Sequence, residues 1–173
     1  MTVDDYPLHH RSEAEVAVAP QRLFDWLDDP RRLTSHMEKP SLMTAGSSMH
    51  FETDRSLGQA IGSHIRMSGR VLGVHLALDE VVTLREPPLR KTWETVGEPR
   101  LLVIGAYRMG FIISPTPNGS RLVVFIDYRL PTAGVARVLG LLLGRAYAGW
   151  CTRRMAGDAQ HAGSRAFGTT GPS

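Results

Sequence analysis

Glu80 is where this sequence most directly suggests chemistry. It stands in the run Leu76-Ala77-Leu78-Asp79-Glu80-Val81-Val82-Thr83-Leu84. A strand alternates its faces at every second residue, so Glu80 shares a face with Leu76, Leu78, Val82 and Leu84. A carboxylate among apolar neighbours is costly to bury unless it is paired or protonated. Two readings stand. Glu80 pairs with an arginine such as Arg66 or Arg108, or it acts as an acid/base that polarises a carbonyl or removes a proton beside one. Glu94 is the second catalytic candidate, although Trp93 and Glu94 are adjacent and cannot both face inward. Tyr107 and Tyr128 either donate hydrogen bonds to a ligand carbonyl or pack. Arg108, within an apolar strand, needs a partner if it points inward, and a ligand oxyanion is one.

The other polar residues offer less. His9 and His10 fall in the N-terminal stretch, and His64 and His75 lie opposite apolar strand faces, where solvent is expected. No histidine pair with a carboxylate has metal-ligand spacing. The single cysteine, Cys151, excludes an intramolecular disulfide and a thiolate cluster. It is expected as a small core residue. No glycine-rich loop with phosphate-binding spacing appears. No metal or cofactor is expected.

A chain of 173 residues with 42% hydrophobic content is long enough for one domain with a substantial core. The organisation expected is a flexible tail over 1–12, a domain over 13–161 and a second flexible tail over 162–173. Formal charge is only +3, and the arginines are scattered rather than clustered, which argues against nucleic-acid binding. No apolar signal segment opens the chain, so a reducing cytoplasm is the expected location. A homodimer stays open.

Elements that could position Glu80 follow from periodicity. Strands are expected over 13–18, 49–54, 62–72, 76–84, 90–96, 101–114 and 121–130, with turn signals such as Glu86-Pro87-Pro88 and Pro117-Asn118-Gly119 between them. After the first strand, Pro20 opens a short helix with Leu23, Phe24, Trp26 and Leu27, and a second helical turn is expected over 31–33. A long helix is expected over 132–161, capped by Thr132, with Val135, Val138, Leu139, Leu142, Ala146, Tyr147, Trp150 and Met155 on its apolar face. Ala136, Gly140, Gly144 and Ala148 recur at every fourth position. Either they pack helix backbone closely on a sheet, or they leave room for a guest molecule. The uncharged stretch from Val138 to Gly144 is far shorter than the roughly 20 residues of a membrane span. A meander with one apolar face and a terminal amphipathic helix makes a two-layer α+β domain whose sheet curls around the helix.

That order resembles the helix-grip fold of the START/Bet v 1-like (SRPBCC) superfamily, and specifically its bacterial polyketide cyclase/dehydrase-like branch. The resemblance is carried by Val18-Ala19-Pro20 through Phe24-Asp25-Trp26-Leu27-Asp28-Asp29-Pro30, by Glu80-Val81-Val82-Thr83-Leu84 with Glu86-Pro87-Pro88, by Lys91-Thr92-Trp93-Glu94-Thr95, and by Asp127-Tyr128-Arg129-Leu130-Pro131. It spans about 13–161. It implies a curved antiparallel sheet of about seven strands around a long C-terminal helix, with two short helices after the first strand. It also implies a hydrophobic cavity between sheet and helix, as in lipid and sterol carriers, plant ligand binders and aromatic polyketide cyclases. On that basis Met67, Trp93, Tyr107, Arg108, Met109, Phe111, Tyr128, Leu142, Tyr147 and Trp150 are expected to contact a small hydrophobic ligand. His36 and Met37 would lie at the cavity mouth. Two functions are carried forward: binding without turnover, and a cyclase/dehydratase-type reaction using Glu80 or Glu94.

Overall fold

Strand formation begins earlier than the sequence pattern suggests. In the computed structural model, which describes residues 6–29, 49–71 and 74–167, β1 runs Leu8–Val16 and pairs with β7 along its whole length. His9, Arg11, Glu13 and Glu15 alternate outward, while Leu8, His10, Ser12, Ala14 and Val16 turn inward. Polar His10 and Ser12 on the inner face hide the strand from a hydrophobicity pattern. They are satisfied there by the buried Thr152 hydroxyl, at 3.0 and 2.8 Å. The loose N-terminal segment expected over 1–12 is therefore corrected for Leu8 to Ser12.

The remaining elements are α1 (Pro20–Leu27), β2 (Met49–Thr53), β3 (His64–Val71), β4 (Val74–Glu86), β5 (Arg90–Thr95), β6 (Tyr107–Thr116), β7 (Gly119–Tyr128) and α2 (Gly134–Phe167). The seven strands form one antiparallel sheet in the order β1-β7-β6-β5-β4-β3-β2. Sequence neighbours β2 through β7 pair side by side as a meander, with tight turns between β4 and β5 and between β6 and β7 and a longer connection over 96–106 between β5 and β6, and β1 adds to its end beside β7. The second helical turn expected over 31–33 lies outside the described residues.

Leu101 to Ala106, expected to open a long strand, instead precedes β6. The Gly105 N–H donates to the Arg129 carbonyl at 2.7 Å, and the Val103 carbonyl faces α2. These residues read as apolar on both faces because the helix lies over them. Within β4, the pairing with β5 shifts between Val82 and Leu84. An extra residue reverses the alternation beyond it, so Leu84 lines the outer face and Arg85 reaches inward to Asp28. Leu84 was expected inward with Val82, and the bulge corrects that.

The helix α2 begins at Gly134, whose φ of +67° suits glycine, and continues beyond His161 to Phe167. Its packed face is not the expected one. Gly140, Gly144, Ala148, Thr152, Ala156, Ala159 and Gly163 are buried, whereas Val135, Val138, Leu142 and Ala146 face solvent. A Cβ at Gly140 would come within 2.8 Å of Pro131 Cδ and 3.1 Å of the Val103 carbonyl. The small residues thus bring helix backbone against the chain beneath it, which is the close-packing alternative. The main core joins Ala148, Cys151, Met155, Ala156 and Ala159 of α2 to Phe111, Ile113, Leu122, Val124 and Ile126 of the sheet and to Leu23, Phe24 and Leu27 of α1.

Candidate functional site

On the inner face of the sheet Glu80 is flanked by Ile65 of β3 and Thr95 of β5. It is 3% exposed. The register puts it there: Leu78, Glu80 and Val82 are buried, while Asp79 and Val81 turn to the other side. Tyr107, at the start of β6, reaches over Thr95, whose hydroxyl accepts the Tyr107 backbone N–H at 3.1 Å. The Tyr107 hydroxyl donates a hydrogen bond to Glu80 Oε1. The Trp93 indole, inward on β5, lies on the same side and favours the ionised form of Glu80. Tyr147 and Cys151 approach from α2, one turn apart and close enough to shift each other's titration.

Burial dominates the electrostatics. It pushes the Glu80 pKa up to about 7, against the Tyr107 hydrogen bond and the nearby Trp93 indole, which favour the ionised form. Burial also holds the Tyr107 phenol well above its ordinary value, and the adjacent Glu80 charge adds to this. Tyr147 is raised well above the usual range, first by the neighbouring Cys151 and then by burial. The Cys151 thiol is pushed up to about 12 by burial, so it stays protonated and is a poor nucleophile. The cluster therefore offers one group that exchanges a proton near neutral pH, Glu80, beside a phenol that remains a donor.

Neither expected arginine partners Glu80. Arg66 donates to Asp79 at 3.2 Å on the outer face, where His64 meets the same carboxylate at 2.9 Å. Arg108 donates to Glu94 Oε1 at 3.2 Å and lies 5.4 Å from the Tyr6 ring centre. Glu94 and Arg108 are directly opposed across β5 and β6. Because Trp93, Tyr107 and Met109 point inward, their neighbours Glu94 and Arg108 must point outward. This corrects Glu94 as an interior acid/base and Arg108 as an interior anion binder.

The expected apolar contacts divide in the same way. Met109, Phe111 and Tyr128 are buried within the main core. Phe111 makes edge-on contacts with Phe24 and Trp93, with ring centres 5.6 and 6.4 Å away. Tyr147 and Trp150 are partly buried, their rings 6.0 Å apart. Met67 is buried opposite Leu78. With Ile65, Leu78 and Val82 it forms an inner-face apolar group outside the main core cluster, and Glu80 sits at the border between the two. Leu142 is corrected: it is 73% exposed, because Gly140 and Gly144 occupy the packed face. His36 and Met37 lie outside the described residues.

Sequence reasoning missed a buried ionic cluster at the end of α1. Lys91, 1% exposed, donates to Asp28 Oδ1 at 2.7 Å and to the Asp28 carbonyl at 3.1 Å. Arg85 donates to Asp28 Oδ2 at 2.8 Å, and its guanidinium lies 5.5 Å from the Phe24 ring centre. Despite burial, the Arg85 and Lys91 contacts hold Asp28 below its ordinary pKa. Burial lowers the pKa of Lys91, against the Asp28 contact. A signal was present, since Lys91 shares the parity of Trp93 and Thr95. Depressions lined by described residues lie on the outer face: one of about 340 Å3 beside Arg66, Asp79 and Arg100, another of about 410 Å3 beside Arg11, Glu94 and Asp127. No described helix is long and apolar enough to cross a membrane.

No protein-family model matches the sequence, and no curated protein matches it. Solved structures do match. The Zhui aromatase/cyclase from Streptomyces sp. R1128 superposes with a TM-score of 0.60 at 14% identity, over 92% of this chain and 98% of that one. A protein from Thermus thermophilus, TTHA0849, gives 0.60 at 14% identity over 95% and 100%. Norcoclaurine synthase from Thalictrum flavum gives 0.56 at 16% identity over 89% and 83%. At these identities the likeness concerns architecture, and with the seven-stranded sheet and long C-terminal helix it establishes a helix-grip fold.

Proposed function

We propose that the protein binds a small hydrophobic or aromatic molecule between the inner face of the sheet and α2, with Glu80 and Tyr107 as its polar anchor. The observation that carries this reading is a buried carboxyl that takes its hydrogen bond from a phenol and forms no ion pair with a described cation. A polar pair enclosed by apolar and aromatic side chains matches the usual make-up of a small-molecule site, in which a few polar groups fix orientation. Ile65, Met67, Leu78 and Val82 supply apolar surface on one side of Glu80, and Trp93 supplies an aromatic face on the other. The fold neighbours include a protein named as an aromatase/cyclase, which agrees with a ring-containing or polyketide-like ligand.

The test is native mass spectrometry of the purified chain, followed by melting curves with fatty acids, sterols and aromatic polyketides. A compound that raises the Tm of the wild type and has less effect on Glu80→Gln supports the site. If no apolar compound raises the Tm, the reading falls. A second reading is favoured by the Glu80 pKa of about 7, which suits a general acid/base at neutral pH. In that case Glu80 removes a proton beside a carbonyl of the bound molecule, and the Tyr107 hydroxyl turns from Glu80 to donate to the carbonyl oxygen. Product formation by the wild type, abolished in Glu80→Gln with ligand binding retained, separates an enzyme from a carrier.

A further inference from the structure

The outward side of the first half of α2 exposes large apolar residues over about two and a half turns. Val135, Val138, Leu141, Leu142 and Leu143 are exposed to 75, 57, 63, 73 and 49%. Val135, Val138 and Leu142 fall on one strip by their three- and four-residue spacing. The sheet cannot cover that strip, because the opposite side of the helix is already seated through Gly140, Gly144 and Ala148. Contiguous apolar surface of this kind marks a place where something docks.

Charge selects the partner. From Tyr128 to Gly157 the chain carries Arg129, Arg137, Arg145, Arg153 and Arg154 and no Asp or Glu. Arg129 is within 3.5 Å of Glu98, and Arg154 is within 3.5 Å of Asp158. Arg137 and Arg145, which flank the apolar strip, form no ion pair with a described acidic residue. We propose that this side of α2 docks on the surface of an anionic lipid bilayer. Valine and leucine side chains enter the boundary of the acyl layer, and Arg137 and Arg145 meet lipid phosphates. A second copy is a poorer match, since two such faces would bring unneutralised arginines together. Nucleic acid would satisfy the arginines and leave the leucines without a partner. The inference is independent of Glu80, which lies on the inner face of the sheet.

Co-flotation of the full chain with vesicles tests it. Wild type should float with phosphatidylcholine vesicles containing phosphatidylglycerol, less so at high salt, and should stay behind with phosphatidylcholine alone. Val138→Glu with Leu142→Glu should lower the bound fraction about tenfold, as should Arg137→Glu with Arg145→Glu. All four positions face outward, so unchanged circular dichroism and Tm should accompany the loss. The proposal is overturned if wild type floats with neither vesicle, or if the variants float as well as wild type. It is also overturned if light scattering shows a dimer that the Val138 and Leu142 changes split without any vesicle binding.

Discussion

Burial without a counter-charge ties Glu80 to the pH dependence of stability. Its pKa is about 7 in the folded protein and about 4.5 in an exposed chain. Between those values the folded state holds a proton that the unfolded state has released, so stability falls as pH rises through that window and levels off above it. The full difference is about 3 kcal/mol. Glu80→Gln keeps the shape and removes the ionisation. Urea unfolding at pH 5 and pH 8 should therefore show a smaller loss of stability in the variant than in wild type; an equal loss would mean that Glu80 does not titrate near neutrality. Asp28 has the opposite sign. Its folded pKa is depressed, so its contribution is present above the unfolded value near 4 and is lost as pH falls below it. Asp28→Asn leaves Lys91 buried without a carboxylate and should cost about 3 to 5 kcal/mol at pH 7, read from the same denaturant curves. Strand parity alone puts Glu80 inward, but its partner was not legible: Tyr107 is far away in sequence and meets Glu80 by reaching over Thr95. For the outward Glu94 one inward Trp93 was sufficient information, whereas Arg108 followed only once Tyr107 and Met109 were seen to point inward.

At the level of elements, the helix and one strand show where periodicity misleads. Hydropathy weights large side chains, so Val135, Val138 and Leu142 define the apparent apolar face of α2. The sheet instead receives the small residues, because close backbone approach gains more contact than a leucine held at a distance. Glycine substitutions test this directly. Gly140→Ala would ordinarily gain up to about 1 kcal/mol within a helix, but its Cβ meets Pro131 Cδ at 2.8 Å and the Val103 carbonyl at 3.1 Å, so a lowered Tm is expected. Gly157→Ala has nothing within 4 Å of its Cβ and should raise the Tm by about 2 to 4 °C. Calorimetry of the two variants decides the matter, and a rise for both would show that the stripe does not set the helix-to-sheet distance. The β4 bulge was hidden for a different reason. Val82, Thr83 and Leu84 are all good strand formers, so nothing in their types marks the extra residue that turns Arg85 inward.

Taken whole, the molecule sets a carboxyl that titrates near neutrality beside a phenol donor on an otherwise apolar inner surface, and if the proposed ligand sits there its chemistry should be readable from pH. The order of strands and helices was legible because turn signals punctuate the meander and a long helix follows it. The polar anchor was only half legible, since it is assembled from β4, β5, β6 and α2 across the full width of the fold. Below pH 7 Glu80 is protonated and can donate to a ligand carbonyl; above pH 7 it accepts, and a phenolic or other hydroxyl donor is preferred. A ketone or quinone bound at this anchor should lose affinity from pH 6 to pH 8, by up to about tenfold. A phenol at the same place should gain over that interval. Binding titrations of one matched pair at both pH values measure the two slopes. Glu80→Gln should flatten both, because its amide donates and accepts alike at every pH. Slopes of the same sign for ketone and phenol, or slopes that survive in the variant, would remove Glu80 from contact with the bound molecule.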